Sequence, residues 1–169
     1  MALPSKLKNF NLFGDGNVWR ALIDSVTLPK LVRKVEEWRG GGMHGPIEVD
    51  LGLEKLELSF KAGGFLLDGY RAFGGKTHNA NQWRFAGAYE DDSTAVVTAV
   101  EILVSGRVRE LDPGDAKAGD DTEHTHTISV SYYKLTVDGR DVIEMDMPGM
   151  VFNVDGQDVL SKIRRAIGL

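Results

Sequence analysis

Cysteine is absent from this chain of 169 residues. That excludes a disulfide framework, a thiol nucleophile and thiolate metal centres. Proline is scarce, 5 residues against 20 glycines, a balance that favours turns and short strands over a helix bundle. No apolar run is long enough to cross a bilayer. The most apolar stretch, Ala95 to Val104, is interrupted by Thr98 and Glu101, so no membrane partner is expected. The amino end lacks a charged segment followed by an apolar one, because Lys6 and Lys8 fall inside its apolar stretch. No targeting signal is expected, and the chain should be made and kept in the cytoplasm. An excess of basic charge is also missing. The formal net charge is -5, which argues against a general nucleic-acid binder living on phosphate contacts.

What is present is ordinary for a folded domain: 42% hydrophobic and 27% charged residues, too apolar for a disordered chain. The length predicts one domain over residues 1–169, large enough to bury a core without metal or disulfide support. No repeat, low-complexity tract or linker divides it.

Lys6 to Phe13 predicts a strand closed by a turn at Gly14-Asp15-Gly16, and Val18 to Leu28 a second strand. Pro29 to Arg39 is ambiguous. Leu28, Leu31, Val32, Val35 and Trp38 fit helical spacing, with Thr27 as N-cap. The segment Arg39, Gly40, Gly41, Gly42, Met43, His44, Gly45 and Pro46 is a glycine-rich loop, costly to order unless something holds it. Ile47, Val49, Leu51 and Leu53 then alternate with Glu48 and Asp50. At Glu54-Lys55 the phase flips to Leu56, Leu58 and Phe60, which requires a bulge, a turn or a change of sheet. Phe65 to Phe73 predicts a short helix stopped by Gly74-Gly75. Gln82 to Tyr89 predicts a strand, and Ala95 to Glu110 a long strand or hairpin.

Thr125 to Val137 and Arg140 to Met147 predict a hairpin around Asp138-Gly139. The expected pairs are Leu135 with Val142, Tyr132 with Met145 and Val130 with Met147. Gln157 to Ile167 predicts a terminal amphipathic helix, capped by Asp155 or Asp158 and ending in Arg164 and Arg165.

A search for chemistry finds little. His124 and His126 would share one strand face, half of a metal site, but Glu123 points the other way. The plainer reading is two solvent-facing histidines at a strand start. Gly74-Gly75-Lys76-Thr77 ends like a phosphate-binding loop, yet Tyr70 stands where that motif needs glycine. Asp112, Asp115, Asp120 and Asp121 lack the spacing of a calcium loop. No serine sits in a nucleophile elbow, and His44 and His78 have no orienting carboxylate beside them. No catalytic residue, cofactor or metal ligand is assigned, and the chain is not expected to be an enzyme. Long strands leave edges that must be paired, covered or charged, which suits a subunit that completes its sheet with neighbours.

Several strings, in order from end to end, carry a resemblance. They are Leu3 to Asn9 with Asn11-Leu12-Phe13, Thr27 to Leu31 with Arg33-Lys34, Arg39 to Met43 with Gly45, and Val49 to Leu53. Arg84 to Gly87, Gly119 to Glu123, Tyr132 to Leu135 with Asp138-Gly139, and Arg164-Arg165 through Ile167-Gly168-Leu169 continue them. Together they resemble the major tail tube proteins of P2-like contractile-tailed bacteriophages, and the tube proteins of R-type pyocins look similar. The chain departs from that pattern at Gly64 to Gly75, which is short around the family's helix, and at Met145 to Val154.

The resemblance implies a mostly β fold, a barrel or sandwich of two packed antiparallel sheets with a short flanking helix and a C-terminal helix. It implies strand rather than helix at Pro29 to Arg39. It further implies hexameric rings that stack into the hollow inner tube of a virion tail, assembled in the bacterial host. Sheath, tape measure and baseplate proteins would be partners, and DNA would pass through the lumen. Glu48, Asp50 and Glu57 are the expected lumen-facing acids, and Arg39 to Gly45 the expected inter-ring loop. Two other readings are a tube of a bacteriocin or type VI-like system and a small cupin-like metal enzyme using His124 and His126.

Overall fold

The computed structural model describes residues 2–169. Its strands are β1 (Lys6–Gly14), β2 (Asn17–Val18), β3 (Ile23–Thr27), β4 (Arg33–Trp38), β5 (Ile47–Leu53), β6 (Leu56–Ala62), β7 (Asn81–Glu90), β8 (Val97–Asp112), β9 (His124–Val137), β10 (Arg140–Asp146), β11 (Val151–Val154) and β12 (Gln157–Asp158). Two short helices, α1 (Leu67–Ala72) and α2 (Ser161–Ala166), complete the fold. All pairings are antiparallel. One sheet runs β12-β11-β10-β9-β8-β7-β1-β2, with β6 and then β3 branching from β9. β4 and β5 form a separate two-stranded sheet.

Alternation along the strands builds the core. β1, β7 and β8 turn Leu12, Trp83, Phe85, Ile102 and Val104 inward, and β6 and β9 answer with Leu58, Phe60 and Ile128. The large sheet therefore folds over on itself, and both layers share one core. Each such side chain contributes about 1.5–3 kcal/mol when fully buried. α1 closes one side with Leu66 and Ala72.

The structure corrects several sequence expectations. The strand expected over Val18 to Leu28 is interrupted at Trp19–Leu22 and resumes as β3. Pro29 to Arg39 carries a strand, β4, as the resemblance implies and against its helical spacing. Pairing with β5 supplies its backbone partners, so periodicity is overridden by the ladder. The phase flip at Glu54-Lys55 is a change of sheet, from β5 to β6.

Asp138 and Gly139 both have positive φ, 48° and 79°, as a type I′ hairpin requires. A bulge between Asp141 and Ile143 shifts the expected register by one, so Leu135 faces Ile143 and Tyr133 faces Met145. The terminal helix is shorter than expected. Asp155 and Gly156 make a second positive-φ turn joining β11 to β12, and α2 starts only at Ser161. Asp158 holds the helix by an ion pair to Arg164 and accepts a hydrogen bond from the Leu160 N–H at 3.1 Å, so it acts as a latch rather than an N-cap. Gly74 and Gly75 end α1 through tight turns to Arg71 and Ala72 carbonyls, with no left-handed cap.

Candidate assembly surface

The long strands of the branched sheet change partners along their length. Residues 124–130 of β9 pair with β6, whereas residues 132–137 pair with β10. β8 does the same: residues 97–106 pair with β7, and residues 107–112 have β9 alone. The junction is Ser131. Ser105 faces Tyr132 and Gly106 faces Val130, so Ser131 is the extra residue of a bulge. Its hydroxyl donates toward the Ser105 carbonyl at 3.3 Å and the His78 carbonyl at 3.2 Å, covering acceptors beside the irregularity.

The result is a four-stranded antiparallel patch, β3–β6–β9–β8. Among the described residues, the outer edge of β3 and the outer edge of β8 at 107–112 have no strand partner. Register fixes its two faces. Val26, Phe60, His126 and Leu111 lie in one row, and Ser25, Lys61, Thr125 and Asp112 in the next. The first row belongs to the core side, since Phe60 and His126 are buried and Val26 and Leu111 pack on them. The alternate rows form a polar face that adds Thr27, Ser59, Thr127, Glu57 and Ser129.

β4 and β5 continue β3 and β6 as a ribbon that leaves the body. Trp38 faces Ile47, Glu36 faces Val49, Glu37 faces Glu48 and Val35 faces Asp50. One side of the ribbon is thus led by Trp38, Ile47 and Val49, the other by Glu37, Glu48 and Asp50. Every residue of β4 is exposed, Trp38 at 61% and Ile47 at 54%. A lone two-stranded hairpin is marginal in water, and like charges directly opposed weaken it further. The tip, Arg39 to Gly45, folds on itself: the Met43 N–H donates to the Gly40 carbonyl at 3.2 Å, and the Arg39 Nε–H to the Met43 carbonyl at 3.3 Å. Gly41 and Gly42 stand clear of other atoms.

The three expected acids have different surroundings. Asp50 accepts the Gly52 N–H at 2.7 Å and pairs with Arg33, and these contacts hold its carboxyl below the usual range. Glu57 pairs with Arg109, which stands in a bulge of β8, and lies 3.8 Å from Lys55. Glu48 has no ion-pair partner among the described residues and confronts Glu37 instead. Sequence reasoning missed Glu37, and only the β4–β5 register reveals it.

His124 and His126 do not face solvent together. His126 is fully buried, stacked on Phe60 with ring centroids 4.6 Å apart, and the Cβ of a side chain at Gly69 would stand 2.5 Å from its ring. Burial, with a smaller contribution from His124, lowers its pKa to about 4. His124 Nδ1 lies 3.2 Å from the Tyr70 hydroxyl. No cluster of three metal-ligating side chains exists among the described residues. The pair is thus a seat for α1.

The family model described as phage tail tube protein FII matches residues 4–168. The tail tube protein of Escherichia phage P2 is 42% identical over the full length of both chains. The major tail tube protein of Serratia phage KSP20 is 41% identical, covering all of this chain and 99% of the relative. Among solved structures, the sheath/tube terminator of the extracellular contractile injection system PVC superposes with a TM-score of 0.55 at 14% identity, covering 76% of this chain and 94% of that one. Its likeness is one of fold.

Proposed function

The chain belongs to the phage tail tube protein FII family, and from that premise we propose that copies of it close into hexameric rings that stack as the hollow inner tube of a contractile tail. It is a structural subunit of the virion tail and not an enzyme. The observation that carries the ring reading is the pair of open edges on the β3–β6–β9–β8 patch. β3 runs opposite to β6, β6 to β9 and β9 to β8. A neighbour's β3 laid against residues 107–112 therefore continues the antiparallel alternation without a break. Repeated round a ring, this makes a closed barrel and removes both edges.

The exposed apolar side of the β4–β5 ribbon reaches the adjoining subunit, and its tip, Arg39 to Gly45, contacts the next ring. Glu48, Asp50 and Glu57 lie toward the lumen, with Glu48 backed by Glu37 contributing the uncompensated charge. Six copies at -5 each carry about -30 per ring, a field that opposes retention of DNA. Stacking must then come from strand pairing and buried apolar area. Sheath outside, baseplate at one end and tape measure within the bore complete the assembly, which forms in the host cytoplasm.

Negative-stain microscopy of the concentrated protein tests this. Annuli and tubes with six-fold averages are expected. A monodisperse globule at every concentration contradicts the reading.

A further inference from the structure

We propose that α1 is an acid-released lid: a proton gained by buried His126 lifts the helix from its seat while the sheets beneath it stay paired. The device belongs to the single subunit and stands apart from the tube reading.

The seat is closed around the ring. His126 is fully buried, Phe60 lies flat against it, and Gly69 closes on its Cε1 and Nδ1 atoms. Among the described residues, neither ring nitrogen has a hydrogen-bond partner. An imidazolium would present two N–H donors and a charge here, a costly burial unless both are answered. The packed elements hold no acceptor for them. From β9, His124 brings only a second imidazole, and the Tyr70 hydroxyl of α1 is engaged with its Nδ1 at 3.2 Å. Asp68 of α1 is exposed and paired with Arg71 at 3.4 Å. Lys61 of β6 pairs with Glu123. It stands in the rows of the opposite face, beside Thr125 and Thr127, as do Asp112 and Glu110 of β8. β3 contributes only Val26 to the row of the ring.

α1 is the part that can yield. It spans six residues, joins no ladder and, with its cap Leu66, buries only Gly69 and Ala72. Gly64 before it stands clear of other atoms. Two clefts adjoin it, one of about 110 Å³ at Leu22, Gly63 and Leu66, the other of about 210 Å³ at Trp19, Asp68 and Arg71. Lifting α1 wets the ring without parting a strand pair, whereas other routes must part β9 from β6 or β8. A proton favours every state that wets the ring by the same factor, so the least costly opening takes it.

Burial, with a smaller contribution from His124, holds His126 at about 4 in the seat, and a wetted imidazole titrates at about 6.5. The lid is therefore tight above pH 6.5, and its open fraction grows as pH falls toward 4. Between pH 7.5 and 4.5 that growth is on the order of fiftyfold.

The chain has no cysteine, so single introduced thiols report opening in the dispersed subunit. Ala72→Cys reports the lid, Val104→Cys the sheet core, and exposed Thr77→Cys the intrinsic rate of the reagent. Each is treated with a pyridyl disulfide, which exchanges with thiols across this pH range. The rate at Ala72→Cys, divided by that at Thr77→Cys, is expected to rise about tenfold or more between pH 7.5 and 4.5. Val104→Cys should show no such rise, and adding His126→Leu should abolish it. Should Ala72→Cys not fold, Leu66→Cys replaces it; should His126→Leu not fold, His126→Met does. An Ala72→Cys rate that ignores pH, a rise shared equally by Val104→Cys, or a rise that survives His126→Leu overturns the proposal.

Discussion

Replacing Gly106 with alanine should destabilise the subunit severely, because this residue stands where β8 parts from β7 and the patch begins. A Cβ built at Gly106 overlaps the Ser129 carbonyl oxygen and meets Ile128 Cγ2 at 3.1 Å. The obstruction is backbone, held in the β8–β9 ladder on both sides of the bulge, so no rotamer change relieves it. Overpacking costs about 1–3 kcal/mol, and spreading the ladder forfeits one or two hydrogen bonds at about 1 kcal/mol each. The sum, roughly 2–5 kcal/mol, is a large share of the about 5–15 kcal/mol that holds a domain together. With a urea dependence of about 2 kcal/mol per molar, the unfolding midpoint should fall by about 1–2.5 M. Circular dichroism of the dispersed subunit in urea measures it. Gly64→Ala is the control, since no atom lies within 4 Å of its Cβ position, and its midpoint should be unchanged or slightly raised. A Gly106→Ala midpoint equal to wild type would refute the reasoning.

Other outcomes follow from the same geometry. His126 titrates near 4 in the fold and near 6.5 when unfolded, so the unfolded chain binds the extra proton first. The stabilisation is whole above pH 6.5 and drains as pH falls toward 4, on the order of 3 kcal/mol. Urea midpoints between pH 7.5 and 4.5 check this, and His126→Leu should flatten that part of the profile. Phe60→Ala removes a fully buried ring that stacks on His126 and meets Trp19 at a tilt, and it should cost about 3–5 kcal/mol in the same unfolding assay. Arg109→Ala breaks an exposed pair with Glu57 and should shift stability by under about 1 kcal/mol. Deleting Gly40 to Gly45 should leave a folded monomer with unchanged circular dichroism that forms no tubes in negative stain. Normal tubes from that deletion would remove the loop from assembly.

Much of the fold is legible in the sequence where a local rule decides it. The turn at Asp138-Gly139, the strands β7 and β9 and the phase flip before Leu56 all follow from residue type and alternation. The parts that escape depend on distant chain. From spacing alone β4 reads as helix, because Val32, Val35 and Trp38 keep helical spacing; the strand there is implied only by the resemblance, and β5 beside it supplies the ladder that wins. The hairpin register slips by one because a bulge at Asp141/Ile143 leaves no mark in composition. α2 begins late because Gln157 and Asp158 are drawn into pairing with β11.

At the assembly surface, Glu48, Asp50 and Glu57 could be named from alternation, but their partners could not. Arg33 is 17 residues from Asp50, and Arg109 is 52 from Glu57. The open edges of β3 and β8 are invisible to any local pattern, since an edge is defined by a strand that is not there. His124 and His126 show the converse: a pair that resembles half a metal site is a packing seat because Gly69 lets α1 approach it.

The central claim is that the subunit's sheet is finished by its neighbours, and near-atomic cryo-electron microscopy of assembled tubes tests it most directly. The account predicts main-chain hydrogen bonds from residues 23–27 of one subunit to residues 107–112 of the next, all round the ring. Tubes in which both of those edges face solvent, with subunits joined through other surfaces, would contradict it.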